Sequence, residues 1–184
     1  GVRSHKMDRP AARDGLARVT GTTKDVNLHN KQILIEAIVE DLSVKQKVLA
    51  SLEEQLPNDA IIATNTSALS VDEIASCLKR PERFVGIHFF NPVHKMKLVE
   101  IVRSKYTTDD TLYRAVEFVQ QIGKLPVIVN DSPGFVVNRV LVPYLIKATE
   151  MYAEGDQIEA IDSAMVKFGM PMGPFRLMDE IGLD

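Results

Sequence analysis

Ile33-Leu34-Ile35-Glu36-Ala37-Ile38-Val39-Glu40 is a short, nearly continuous apolar run, and Ala60-Ile61-Ile62-Ala63-Thr64 repeats the pattern further along the chain. Runs of this kind suit strands covered on both faces, as in a parallel sheet, whereas a strand with one wet face alternates apolar and polar residues. Between the two, Val44, Val48, Leu49, Leu52 and Leu56 recur at helical spacing from Ser43 onward, and Pro57 closes the segment. Strand, helix and strand of this composition predict a right-handed parallel crossover, and so a doubly wound α/β fold.

The pattern continues outward from that unit. Asp72 can cap a short helix running through Leu78. Residues 83–88 and 98–104 are rich in β-branched and apolar side chains and are joined by a loop containing Pro92, which predicts an antiparallel pair. Asp109 or Asp110 then caps a helix with Leu112, Ala115, Val116, Val119 and Ile122 on one side and Gly123 just past its end. A strand over Leu125–Val129 completes this part. Beyond Asn130-Asp131-Ser132 the pattern is helical: 133–154 ended by Gly155, 156–168 ended by Gly169, and a segment after Pro174. Residues 1–20 carry mixed charges and a Pro10 break, consistent with an exposed helix. The chain therefore divides into residues 1–131, with the sheet, and 132–184, all helical.

Composition removes several function classes. A chain of 184 residues with 45% hydrophobic and 26% charged residues can bury a core for one domain or two small ones. The net charge of -3, with Lys and Arg scattered, gives no footprint for nucleic acid. A single cysteine, Cys77, excludes an internal disulfide and reads as a half-buried thiol in a reducing compartment. No apolar stretch approaches the roughly 20 residues a membrane helix needs. Gly1-Val2-Arg3-Ser4-His5-Lys6 lacks the apolar centre of a signal peptide, so the reading is of an intracellular, soluble protein without membrane insertion. His5, His29 and His94 lack ligand spacing, and no metal is expected. None of the ten glycines falls into G-x-G-x-x-G.

His88-Phe89-Phe90-Asn91-Pro92, followed by Glu100 inside Leu98-Val99-Glu100-Ile101-Val102, plants a proton-transfer base and a carboxylate in segments that otherwise read as buried strand. A register centred on His94 puts His88 opposite Glu100 on one face, where the carboxylate can bond one ring nitrogen, fix the tautomer and raise the basicity of the other. That is a general base with an orienting acid. The residues alone leave open a satisfied core histidine and a solvated strand-edge acid.

Asn65-Thr66-Ser67-Ala68-Leu69, the His88 motif, the Glu100 strand, Asp131-Ser132-Pro133-Gly134-Phe135-Val136-Val137-Asn138-Arg139 and Met172-Gly173-Pro174 stand in one order. Through them residues 33–184 resemble the 3-hydroxyacyl-CoA dehydrogenase family. The resemblance implies that His88 and Glu100 are the catalytic pair, that Ser67 and Asn138 hydrogen-bond around the substrate oxygen, and that Asn91 positions substrate beside the base. It also implies dinucleotide contacts from Glu40, Lys45, Ser67 and Asn91. Each alone, Ser67 reads rather as a turn former, Asn91 as a pre-proline turn residue and Asn138 as a solvated helical side chain, while Glu40 and Lys45 read equally as an exposed acid and lysine near a helix start. Lys95 and Lys97 read as surface lysines.

The implied fold is a partial Rossmann-like doubly wound sheet, followed by the start of an all-α C-terminal domain. The absent glycine turn and the missing start methionine then read as a chain cut at both ends, lacking its first βαβ unit. The implied reaction converts (S)-3-hydroxyacyl-CoA to 3-ketoacyl-CoA with NAD in fatty acid β-oxidation. The wording of Asn91–Met96 and Phe168–Pro174 is nearer the dehydrogenase part of multifunctional β-oxidation proteins than the single-function enzymes. The implied partners are an acyl-CoA and either a second copy or a larger multifunctional chain, in bacterial cytoplasm, peroxisome or mitochondrion. Two other readings stay open: a non-catalytic piece that packs or dimerises without cofactor, and a 3-hydroxybutyryl-CoA dehydrogenase using NADP.

Overall fold

The computed structural model describes residues 8–24 and 26–182. The readings made on residues 1–6 and on His5 lie outside that set. Asp8 accepts the Ala11 N–H and caps helix α1 (Arg9–Ala17), which buries no residue and matches the exposed helix expected there.

Five strands then cross one sheet in sequence order: β1 (Ile33–Glu36), β2 (Ile61–Thr64), β3 (Phe84–Phe89), β4 (Leu98–Arg103) and β5 (Leu125–Asn130). β1–β2, β2–β3 and β4–β5 pair in parallel, and β3–β4 pair antiparallel, so the sheet is mixed. The loop 90–97 is too short for the crossover that a parallel pair requires, which dictates the one reversal. Its register sets His88 opposite Glu100, as a hairpin centred on His94 demands.

Alternation along the strands sorts the core into two layers. Ile61, Ala63, Val85, Ile87, Val99 and Ile101 pack on helix α4 (Asp109–Gln121) through Leu112, Ala115 and Val119. Ile62, Phe84 and Val102 pack on the other face against helices α2 (Leu42–Glu53) and α3 (Val71–Ala75) through Leu49, Val71, Ile74 and Ala75. By the same alternation Glu36, Thr64, His88 and Glu100 belong to this second face. Four polar residues thus replace aliphatic ones where each buried aliphatic would contribute roughly 1.5–3 kcal/mol. Glu36, Thr64 and His88 also lie at the carboxyl ends of the parallel strands, where ligands of open α/β sheets gather.

Several boundaries differ from the sequence reading. β1 stops at Glu36, whose carboxylate accepts the Ile38 N–H at 2.7 Å and turns the chain, so Ile38 and Val39 are exposed and Glu40 sits in the turn before α2. In α2 the buried residues are Lys45, Leu49 and Glu53, while Val44 faces solvent. Ser70, not Asp72, caps α3; Asp72 instead accepts the Lys105 N–H. Thr108 caps α4, leaving Asp109 and Asp110 in the first turn where negative charge suits the helix dipole. Helix α5 (Val137–Ala153) begins later than Pro133, because Gly134 and Phe135 take positive φ values of 73° and 49° outside the helical region.

Helix α6 (Ile158–Phe168) ends at Gly169 in the left-handed conformation, and α7 (Pro174–Ile181) starts at Pro174, both where expected. The Asp162 carboxylate accepts the Phe175 and Arg176 N–H groups and so caps α7, and it lies where a side chain on Gly173 would stand. Among the described residues no helix is long and apolar enough to cross a membrane.

Gly86 faces Val102 across β3 and β4, and a methyl group there would come within 2.7 Å of Val102 Cβ and 3.0 Å of Val71 Cγ2. Overpacking of this kind costs roughly 1–3 kcal/mol. Gly86→Ala should therefore lower the urea midpoint with an unchanged denaturant slope. An unaltered midpoint would mean that the sheet and α3 separate more easily than these distances allow.

Candidate active site

His88 is the penultimate residue of β3 and Glu100 the third of β4, and their pairing places imidazole Nδ1 2.9 Å from Glu100 Oε2. The two side chains are 6% and 1% exposed. A carboxylate buried this deeply is tolerated only when its oxygens are satisfied. Glu100 meets that demand with its second oxygen, Oε1, which accepts the Val136 N–H at 3.0 Å and the Val137 N–H at 2.9 Å. These amides open α5, so the acid sits on a helix N-terminus, a natural anion site. With Nδ1 engaged, Nε2 is the ring nitrogen left for chemistry.

Two aromatic rings confine the imidazole. Phe90 lies 4.6 Å and Phe135 5.7 Å away between centroids, both tilted. Phe135 is buried and takes φ 49°, unusual for a residue with a large side chain. Its N–H donates to the Ser132 carbonyl, and Asp131 beside it accepts from Ser70 Oγ and the Asp72 N–H, tying this turn to α3. Sequence reasoning missed Phe135, since nothing in Ser132-Pro133-Gly134-Phe135 announces a positive φ on the aromatic residue rather than on the glycine alone.

A second charged group stands at the ends of β1 and β2. Lys45, 1% exposed, donates to Glu36 Oε1 at 2.7 Å, Glu40 Oε2 at 3.2 Å and the Ile38 carbonyl at 3.4 Å. These acceptors surround the buried ammonium at the ends of β1 and β2. Glu36 was also missed, although its signal, an acid inside an apolar run, is the one that marked Glu100. Its Oε2 accepts from Thr64 Oγ1 at 2.6 Å.

Glu40 is half-exposed, and its Oε1 accepts from Thr66 Oγ1 at 2.5 Å, the Ser67 N–H at 2.8 Å and the Ala68 N–H at 3.3 Å. Partial burial alone would raise its pKa, but the bonds from Thr66, Ser67 and Lys45 together outweigh that and hold the carboxyl below its usual value.

Ser67 and Asn138 do meet: Asn138 Nδ2, in the first turn of α5, donates to the Ser67 carbonyl at 3.2 Å. Asn91 is exposed in the loop 90–97 and takes no part in the bonds that hold the His88–Glu100 pair. Lys124 secures that loop by donating to the Val93 and Met96 carbonyls. Asn65, a further residue the sequence did not single out, accepts the Phe89 N–H at 3.0 Å and so ties the Ser67 loop to the end of β3. Burial pushes the Cys77 thiol up. Among the described residues no cluster of three His, Cys, Asp or Glu side chains could hold a metal ion.

Two family models match. One, described as 3-hydroxyacyl-CoA dehydrogenase, NAD binding domain, covers residues 1–132, and the other, the C-terminal domain of the same family, covers 134–184. The fatty acid oxidation complex subunit alpha of Idiomarina loihiensis is 46% identical over 185 residues, spanning 100% of this chain but 26% of the relative. The crystal structure of FadB2 from M. tuberculosis superposes with a TM-score of 0.95 at 41% identity, covering 100% of this chain and 66% of that one. The (S)-3-hydroxybutyryl-CoA dehydrogenase PaaH1 from Ralstonia eutropha gives 0.94 at 39%, covering 100% and 65%.

A carboxyl whose folded pKa is depressed contributes stability that is whole above its ordinary value, 4.5 for Glu40, and is lost as pH falls through the lower folded value. Glu40→Gln should thus be less stable than the parent at about pH 6, with the difference narrowing as the pH falls below 4.5. Urea midpoints above and below that value check this; a constant difference would mean that Thr66 and Ser67 hold an uncharged acceptor as firmly as the carboxylate.

Proposed function

Since this chain belongs to the 3-hydroxyacyl-CoA dehydrogenase family, we propose that it carries the dehydrogenase site of a β-oxidation protein, oxidising (S)-3-hydroxyacyl-CoA to 3-ketoacyl-CoA. The chain spans about a quarter of its fatty acid oxidation complex relative, which fits a dehydrogenase part within a larger multifunctional protein. In this reading residues 1–131 form the dinucleotide-binding domain and 132–184 open the helical one.

The observation that carries the reading is the buried His88–Glu100 pair, with Nδ1 engaged and Nε2 available. His88 Nε2 takes the proton of the substrate hydroxyl. Glu100 keeps the imidazole in the tautomer with the proton on Nδ1 and offsets the charge it gains, acting through a single hydrogen bond beside the Phe90 and Phe135 rings. Ser67 and Asn138, already joined to each other, are assigned to the substrate oxygen, and Asn91 to positioning beside the base.

The residues present also suit the cofactor that the family's domain is described as binding. Exposed Ile38 and Val39 adjoin a half-exposed Glu40 carboxylate held in its acceptor form, a combination fit for an apolar ring and sugar hydroxyls. Glu40, Ser67 and Asn91 are therefore assigned to NAD, with Lys45 acting through Glu40. The chemistry that bound NAD supplies is hydride acceptance.

Removing a general base typically costs on the order of 10²–10⁴ in rate. His88→Gln in the full-length protein should lower kcat for (S)-3-hydroxybutyryl-CoA by that amount in a protein that still folds, since the Gln amide can donate to Glu100 in place of the ring. Turnover close to that of the parent would exclude His88 as the base.

A further inference from the structure

We propose that Glu36 is a positioning residue, which through Lys45 and Glu40 fixes the cofactor-facing rim of the site; the assignment rests on the dehydrogenase reading.

Glu36 ends β1 opposite Thr64 in the β1–β2 register, and its side chain is 1% exposed. It is satisfied by three donors: the Ile38 N–H and Lys45 Nζ on Oε1, and Thr64 Oγ1 on Oε2. Lys45 then reaches Glu40, and Glu40 in turn holds Thr66, Ser67 and Ala68. The path ends at the Ser67 carbonyl, which accepts from Asn138 on α5. One contiguous chain of hydrogen bonds therefore runs from a fully buried acid to the loop that lines the proposed site.

The charge count explains why two acids surround one lysine. With a single carboxylate partner, Lys45 would form a neutral pair, and the attraction would draw that carboxylate inward. Glu36 is the deeply buried member and cancels the ammonium. Glu40, half-exposed, keeps its negative charge at the rim, where it can accept from hydroxyl donors while still pinning the Ser67 loop. Without Glu36, Glu40 becomes the sole counter-ion of a buried ammonium, and the stronger pull on its Oε2 draws the carboxylate inward and loosens the hold of Oε1 on the Thr66, Ser67 and Ala68 donors.

The test uses the full-length protein, with Glu36→Gln, Lys45→Met and the double variant. Amide exchange over residues 65–70, measured without cofactor, reports on the loop. Exchange at Ser67 and Ala68 should quicken by roughly tenfold or more, with the Glu100-held amides of Val136 and Val137 unchanged as an internal control. In Glu36→Gln the Kd for NADH, read from nicotinamide fluorescence, should rise by roughly tenfold while kcat at saturating cofactor stays within about twofold. Because the residues act in one path, the double variant should be no worse than either single.

Unaltered exchange at Ser67 and Ala68, or losses that multiply in the double variant, would overturn the role of Glu36 while leaving the dehydrogenase reading intact. Quickened exchange in a protein whose parent binds no NADH would instead overturn that reading, and the cofactor role of Glu36 with it. If Glu36→Gln fails to fold, Thr64→Val, which removes only the donor to Oε2, should give the same local exchange change at smaller size; no change there overturns the proposal equally.

Discussion

The Glu100 carboxylate, buried in the middle of a sheet, is the constraint around which the rest is arranged. A carboxyl group at 1% exposure cannot be left without partners, because an unsatisfied buried polar group costs roughly 1–3 kcal/mol or more. The fold satisfies it from both directions. β3 brings the imidazole across one strand, and the turn after β5 brings two backbone N–H groups down onto the other oxygen. The second supply is the more consequential, since those amides belong to the start of α5. The geometry of the ring that we assign as the base thus depends on where the helical segment begins, and the positive φ at Phe135 is the local distortion that sets that point.

Much of this was legible in the sequence, for reasons that can be named. Strands β2, β3 and β4 stand near their predicted bounds because each is a largely apolar run between turn residues and is buried on both faces, and β5 stands there as an apolar run between Gly123 and Asp131 although most of it is exposed. The His88–Glu100 register followed from the length of the loop between them, because a two-residue period makes opposition across a hairpin a matter of counting. The ends at Gly169 and Pro174 were readable because glycine and proline act through the backbone alone.

What stayed hidden was decided by which partner particular side chains find, near or far along the chain. Ile38 and Val39 belong to the apolar run that reads as strand, but the Glu36 carboxylate captures the Ile38 N–H and ends β1 early, and no local propensity reveals that. The cap of α3 is Ser70 rather than Asp72 because Asp72 is needed by the Lys105 N–H, thirty-three positions away. Lys45 reads as a helix-surface lysine, yet it replaces Val44 as an inward residue because two acids wait for it there.

The two acids embedded in apolar strands have a common physical origin. Glu36 and Glu100 occupy the same face of the sheet, the face covered by α2 and α3 and then by the turn into α5. That cover ends at the carboxyl edge of the parallel strands, so an acid there is buried yet one residue from the opening. Each is satisfied by one side-chain cation or imidazole and by backbone N–H groups that leave the sheet: Ile38, just after β1, for Glu36, and Val136 and Val137, after β5, for Glu100. In both cases the acid fixes the path of a segment leaving the sheet. An apolar residue at either place would pack as well against the helices, but it would leave those N–H groups unpaired and the loops free to choose another path.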